Sequence, residues 1–267
     1  MKISIYILIL ISAIAIAFTF NSCKKTDTSP APVGMGHLYF HLHTDIQSTE
    51  VDSGNPYPDA TGRIFELTYA QFFISSITIY NYSTNTPYNL PVNTGMLKYI
   101  DNEDYYIVDV PAGNYGSVSF NIGLSPVENS TPPATLYPMF NSAVNGLPPT
   151  SMFWNSTWNA NQGYVFLNIQ GFADTTAAHT GNCNFSFSYQ IGTNSMLEHV
   201  QLPKQQFTIL PGQITFVHQI CDYGNLLQGI PFVHNATPFN ADSTTARMIA
   251  NRIANNFLRY EMATIQP

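Results

Sequence analysis

Charged residues are scarce in this chain of 267 residues. Asp, Glu, Lys and Arg together make up 9% of the sequence, whereas about a quarter is usual in a globular domain. Acidic residues outnumber basic ones, and the formal net charge is −7. Proteins that bind nucleic-acid phosphates concentrate Lys and Arg. The composition therefore excludes a nucleic-acid-binding protein.

The short motifs of common enzymes are also missing. The sequence has no Gly-x-Ser-x-Gly elbow, no HExxH helix and no phosphate-binding P-loop. Three carboxylates, Asp101, Glu103 and Asp104, lie close together, but their polar surroundings are typical of a loop. The sequence therefore predicts no enzymatic activity.

Cysteine occurs at three positions, Cys23, Cys183 and Cys221. None has the CxxC spacing of a redox or zinc site. If Cys23 is set apart as an N-terminal acyl acceptor, an even pair remains, and an oxidising compartment favours its linkage. We predict a disulfide between Cys183 and Cys221, with two separate buried thiols as the alternative.

The N-terminus has the features of an export signal. Met1-Lys2 is followed by residues 3–20, which carry no charge and form the apolar region of a signal peptide. Ser22 directly before Cys23 resembles a lipobox. We predict a signal peptide over residues 1–22, lipidation at Cys23 and a polar tether over 23–35, which would place the protein in the cell envelope, on the periplasmic side or on the outer-membrane surface. An uncleaved anchor and simple secretion are the alternatives.

The remaining residues, 36–267, carry the pattern of a mainly β domain. Short apolar and β-branched runs recur between turn residues, and we predict an antiparallel β-sandwich with long loops and one C-terminal helix. Two pairs of strands are predicted to be joined by tight turns, at 111–114 and at Pro211-Gly212. The predicted strands cover residues 37–43, 64–80 (two strands or one bent strand), 105–110, 117–122, 165–169, 184–191, 205–210 and 213–220.

Two segments depart from the strand pattern. Residues 124–150 contain six prolines, which exclude a continuous helix or central strand and favour a long ordered loop. Residues 241–262 have helical periodicity, with Asp242 or Ser243 as a cap. The apolar face of this predicted helix consists of Ile249, Ile253, Phe257 and Tyr260.

Histidine residues alternate with apolar residues in the first predicted strand. His41 and His43 are two residues apart, so both side chains project from one face and can reach one metal ion. The alternative is that they are polar side chains on the solvated face of an edge strand. A third ligand would have to come from His37, His179, His199, His218 or His234.

Both tryptophans of the chain lie close together, at Trp154 and Trp158. Indole rings are large and mainly apolar, so a pair before a strand indicates either a packed corner or a surface that faces a ligand. The sequence leaves both interpretations open.

Several of these segments occur in an order that resembles one known family. They are the histidine strand at 37–43, the strand at 67–80, the Pro-Ala-Gly-Asn-Tyr turn region at 110–123, the tryptophan segment with Gly-Tyr-Val-Phe at 152–171, the Phe-Ser-Tyr-Gln-Ile-Gly strand at 187–192 and the closing helix at 246–257. Together they resemble the MbnP-like copper-binding lipoproteins. The resemblance implies copper binding outside the cytoplasm. In some members it also implies a tryptophan oxidised to kynurenine by a dihaem peroxidase-like partner protein.

The match to this family is uneven at individual residues. His41 and His43 match the metal-bearing first strand, whereas Gln190 stands where the family motif has a histidine. The spacing from Trp154 to Trp158 is longer than in the motif, so the modified tryptophan stays unassigned. We predict a copper-binding lipoprotein. The alternatives are a surface adhesin or glycan-binding module, suggested by the aromatic and Asn-rich loops, and a purely structural domain.

Overall fold

The computed structural model describes residues 34–91, 95–140, 150–232 and 244–266. The predicted signal peptide and most of the predicted tether lie outside these residues. The described strands are β1 (Met35–Ile46), β2 (Thr49–Glu50), β3 (Pro56–Pro58), β4 (Ile64–Asn81), β5 (Pro87–Asn89), β6 (Met96–Lys98), β7 (Asp104–Pro111), β8 (Gly113–Ile122), β9 (Val165–Ala173), β10 (Phe185–Gly192), β11 (Glu198–Gln201), β12 (Phe207–Ile209), β13 (Ile214–Asp222) and β14 (Leu258–Gln266).

Helices are few and short, as the predicted mainly β fold requires. Among the described residues none is long and apolar enough to cross a membrane. The α-helices are α1 (Pro126–Ser130), α2 (Pro133–Leu136), α3 (Tyr223–Leu227) and α4 (Thr244–Arg252). Single helical turns of other types cover Tyr137–Met139, Thr150–Met152, Trp154–Ser156, Asn194–Met196 and Ile253–Phe257.

The strands form two sheets, which confirms the predicted β-sandwich. The smaller sheet has the order β14-β13-β1-β2, with β7 also paired to β1. In this sheet β1 and β13 run parallel, and the other pairs are antiparallel. The larger sheet has the order β10-β9-β4-β8-β11, and the short strands β3, β5, β6 and β12 extend it.

The alternating pattern of β1 is confirmed. Leu38, Phe40 and Leu42 are fully buried in the main core, and the histidines between them are half-buried on the opposite face. However, β1 is not an edge strand, because β13 and β7 pair with it from both sides. The histidine face therefore lies in the interior of a sheet, with neighbouring strands that can contribute side chains to it.

Strand β4 is one bent strand, which was one of the two predicted possibilities. It runs from Ile64 to Asn81, and its pairing with β8 shifts register between Ser75 and Thr78, next to Ser76 with φ of +54°. Phe72 contributes to the main core. Its neighbour Phe73 contributes to a second core together with Tyr164 and Phe166, so both faces of this strand are covered.

The proline-rich segment covers this second core with short helices and not with an irregular loop. Pro126 and Pro133 stand at the first turns of α1 and α2, where a missing backbone N–H costs nothing. Ser125 and Glu128 form a capping box at the start of α1, which satisfies two backbone donors. Residues 141–149 of the predicted loop lie outside the described residues.

Both predicted strand hairpins were wrong in their pairing. Strand β7 pairs with β1, whereas β8 pairs with β4. Likewise β12 pairs with β8, whereas β13 pairs with β1 and β14. In each case the chain turns where predicted but crosses from one sheet to the other. Turn residues indicate where the chain changes direction. They do not determine which sheet the next strand joins.

The C-terminal helix is shorter than predicted. Helix α4 ends at Arg252, one irregular turn follows, and residues from Leu258 form β14 along β13. Ile249, Ile253 and Phe257 are buried as predicted, but Tyr260 lies in the strand. Hydrogen bonding to the open edge of β13 outweighs the helical periodicity beyond residue 257. The predicted cap residues, Asp242 and Ser243, lie outside the described residues.

The predicted disulfide is not formed, since Cys183 and Cys221 are both free thiols. Cys221 is a free, fully buried thiol on β13, and burial raises its pKa to about 12. Cys183 precedes β10 of the larger sheet, and its sulfur lies 3.8 Å from the carbonyl oxygen of Ile64. An even cysteine count therefore did not indicate a disulfide here.

Candidate metal centre

Three histidines converge on the outer face of the smaller sheet. The parallel register of β1 and β13 places His41 directly beside His218, and His43 follows two residues later on the same face. The ring centroid of His41 lies 4.3 Å from that of His43 and 4.6 Å from that of His218. We call these three side chains the histidine cluster.

The sequence left five histidines as candidates for the third ligand. The fold brings one of them, His218, next to His41. His37 and His199 contact Asp109 and Asn121 respectively, and neither belongs to a described group that could hold a metal ion. His179 lies in the loop after β9, and His234 lies outside the described residues. No sequence signal distinguishes His218, because it is 175 residues or more from the other two ligands and only strand register brings it near.

Carboxylates surround the histidine cluster. Glu103 lies 3.2 Å from Nε2 of His41 and 3.6 Å from Nδ1 of His43. Glu261 lies 3.3 Å from Nε2 of His43. The sequence interpretation assigned Glu103 to a polar loop, which is correct, but missed its contact with the histidines. It could not place Glu261, because that residue was predicted to be helical.

A buried lysine stabilises the turn that carries Glu103. The ammonium group of Lys98 is fully buried and donates hydrogen bonds to Thr44 Oγ1 at 3.0 Å and to the carbonyl oxygen of Asn102 at 2.8 Å. Burial lowers the pKa of this ammonium group. The backbone N–H of Leu42 also donates to the carbonyl oxygen of Glu103 at 2.9 Å. Glu103 is therefore fixed relative to the strand that carries His41 and His43.

The surroundings of His218 favour its neutral form. Burial lowers the pKa of His218, and the adjacent His41 and His43 lower it further. A neutral ring has a free nitrogen lone pair, which is the form that binds a metal ion. The side chains of His41 and His43 are 18% and 23% exposed, so an ion can reach them while much of the ring stays packed.

The geometry fits a transition-metal ion. One ligand atom from each of the three histidines lies within 4.8 Å of the others. Imidazole nitrogens bind an ion such as zinc at about 2.0 to 2.1 Å, so two that share an ion are at most about 4.2 Å apart. A side-chain movement of less than about 1 Å would close this difference. Imidazole suits copper, zinc, iron and nickel.

Further polar groups orient two of the rings. Nδ1 of His41 donates to Oδ1 of Asp104 at 2.5 Å, and Nε2 of His218 lies 2.9 Å from Oγ1 of Thr264. Such contacts, one from β7 and one from β14, orient a metal-ligating ring. The second nitrogen of His41 faces Glu103, so an ion bound at the cluster would replace that contact.

The tryptophans lie elsewhere and are packed. Trp154 is 7% exposed, and Trp158 packs against the second core with its ring 6.3 Å from that of Tyr164. A Cβ atom at Gly192 would lie 2.7 Å from the Trp154 ring, so the indole lies close against the backbone of β10. This agrees with the packed-corner interpretation. The structure does not bring either tryptophan, or Gln190 of β10, to the histidine cluster.

Comparisons with known proteins agree with these observations. The family model named MbnP matches residues 35–245. The solved structure of MbnP from Methylosinus trichosporium is similar, with a TM-score of 0.55 and 12% identity over 81% of this chain and 88% of that chain. At this identity the structural similarity shows the fold alone. No curated protein matches the sequence.

Proposed function

The chain belongs to the MbnP family, and on this basis we propose that it is an exported lipoprotein that binds copper through His41, His43 and His218. The observation that carries the proposal is the convergence of these three histidines on one half-buried face. The family is linked to metal binding, and copper follows from the family resemblance. We propose no catalytic activity.

Each group at the site has a defined part in holding the ion. The three imidazoles supply neutral nitrogen ligands, which suit copper. Glu103 and Glu261 lie beside them and offset the positive charge of the ion. Asp104 and Thr264 orient two of the rings. For divalent ions, copper binds most tightly to a given nitrogen and oxygen site.

The location and partner of the protein extend this proposal. Lipidation at Cys23 would hold the domain at a membrane of the cell envelope. The family resemblance suggests a dihaem peroxidase-like partner that modifies a tryptophan. Because Trp154 and Trp158 pack against the other sheet, we propose that copper binding by the histidine cluster does not depend on that modification.

A copper titration tests the proposed function. We expect the wild-type protein to retain close to one copper ion per chain after desalting, and the double variant His41→Ala/His43→Ala to retain none. The two side chains point away from the core, so the variant should keep its thermal unfolding temperature. The matched control is His199→Ala, which removes an exposed histidine bound to Asn121 and should bind copper normally. Wild-type protein that retains no copper would refute the proposal.

One feature favours the alternative of a glycan-binding module. Tyr39, Tyr106 and Phe216 form a row of half-buried rings beside the histidine cluster, with centroids 5.3 and 5.1 Å apart. Aromatic faces of this kind can pack against sugar rings. Copper retention by wild type and its loss in the double histidine variant would favour the metal site over this alternative.

A further inference from the structure

We propose that Met262 completes the copper site as a thioether ligand and gives it a preference for Cu(I). This inference rests on the proposed copper function and deepens it, because it names a fourth ligand and the oxidation state.

Strand register places Met262 next to the histidine cluster. In the antiparallel pair of β13 and β14, Met262 is the direct partner of His218. On the other side of His218, the parallel pair places His41 as its partner. Directly paired residues have Cβ atoms about 4.5 to 5.5 Å apart and project from the same face. His41, His218 and Met262 therefore form one row across three strands.

A β-bulge brings Glu261, the neighbour of Met262, to the histidine cluster as well. The register shifts between His218 and Gln219, where the partner residue changes from Met262 to Tyr260 and Glu261 is left over. Glu261 contacts Nε2 of His43 at 3.3 Å, which shows that this part of β14 faces the cluster. Bulges commonly redirect side chains at functional sites. Here the bulge brings a carboxylate and a thioether to the cluster side by side.

The side chain of Met262 is free to move onto an ion. It is 48% exposed, and methionine has three rotatable side-chain bonds, so the sulfur can shift without movement of the backbone. Exposure alone does not single out Met262, because Met139 and Met248 are 49% and 38% exposed. What distinguishes Met262 is its pairing with His218.

A thioether and a carboxylate as the fourth ligand favour different oxidation states of copper. Thioether sulfur is a soft ligand and selects Cu(I), whereas carboxylate oxygens such as those of Glu103 and Glu261 suit harder ions. With Met262 bound, the site has three imidazoles and one thioether. Binding of Cu(I) by these four ligands leaves its oxidation state unchanged.

A leucine substitution tests the ligand. Met262→Leu keeps the volume and apolar character of the side chain and removes the sulfur. We expect Cu(I) affinity, measured by competition with a chromophoric Cu(I) chelator, to fall at least tenfold, and Cu(II) affinity to change less than twofold. X-ray absorption of the Cu(I)-loaded wild-type protein should show one sulfur neighbour, which the variant lacks. The control, Met248→Leu, should match wild type in both measurements.

The results separate this inference from the proposed function. If wild type binds copper through the histidines but Met262→Leu has the same Cu(I) affinity and no sulfur neighbour is seen in wild type, Met262 is not a ligand and a carboxylate is the better candidate. If wild type binds neither Cu(I) nor Cu(II), the proposed function itself fails, and this inference fails with it.

Discussion

The histidine cluster and the tryptophan corner are the two regions that the sequence singled out, and their environments differ sharply. The histidines lie on the outer face of the smaller sheet, partly exposed and in contact with Glu103 and Glu261. Trp154 and Trp158 pack at the larger sheet, and each indole N–H is buried without a hydrogen-bond partner among the described residues. Accessible imidazole groups suit binding, whereas buried rings mainly stabilise the fold.

We therefore expect substitutions in the two regions to change different properties of the protein. Removing a tryptophan should lower stability and leave copper binding unchanged. Removing a histidine should weaken copper binding and leave stability almost unchanged. Three substitutions test this separation, in order of decreasing expected effect.

Trp154→Ala should cause the largest change, in stability. Truncation of a buried tryptophan costs about 3 to 5 kcal/mol, and we expect about 3 kcal/mol, because the unpaired indole N–H already reduces the benefit of burial. Urea denaturation of the metal-free protein measures this loss. Copper retention by the folded variant should equal that of wild type. A variant with wild-type stability that fails to bind copper would place the tryptophan at the metal site and break the comparison.

His218→Ala should change copper binding and little else. Removing one of three nitrogen ligands should weaken copper binding at least tenfold, which corresponds to about 1.4 kcal/mol. The ring is partly exposed on the outer face, so we expect stability to change by less than about 1 kcal/mol. Competition titration gives the affinity, and His199→Ala again serves as the control. Unchanged affinity would reduce the site to His41, His43 and the carboxylates.

Asp109→Asn should have the smallest effect, on acid stability. His37 donates to Asp109 at 2.6 Å, and this hydrogen bond holds the pKa of the carboxyl below its ordinary value of 3.8. A lowered folded-state pKa contributes stability above pH 3.8 that is lost as the pH falls below it. Since the side chains are 42% and 47% exposed, the contribution is under about 1 kcal/mol.

Urea denaturation at pH 5 and pH 3 measures this contribution. Wild type should lose slightly more stability between these two values than Asp109→Asn does, and copper binding at neutral pH should be equal in both. A loss of copper in the variant would show that His37 and Asp109 belong to the metal site, although they lie on the same face without joining the cluster.

Much of the fold follows from local patterns, but strand partners do not. The alternation around Phe40 identified β1 and its two faces, and Ile249 and Phe257 identified the buried face of the last helix. The turns at 111–114 and at Gly212 were located correctly. The partners were wrong, because the strands after these turns join the opposite sheet, and a turn contains no information about distant strands.

The sequence by itself determined the mainly β class, the family resemblance and two of the three histidines, because each depends on residues that are close along the chain. Residues two apart on a strand share a face in any fold. Tertiary structure alone decided that His218, Glu103 and Glu261 meet these histidines, because parallel pairing of β1 with β13 and the bulge in β14 set that register. It also left Cys183 and Cys221 unlinked. Contacts between distant residues depend on which strands pair, and pairing is settled by the burial of the whole core.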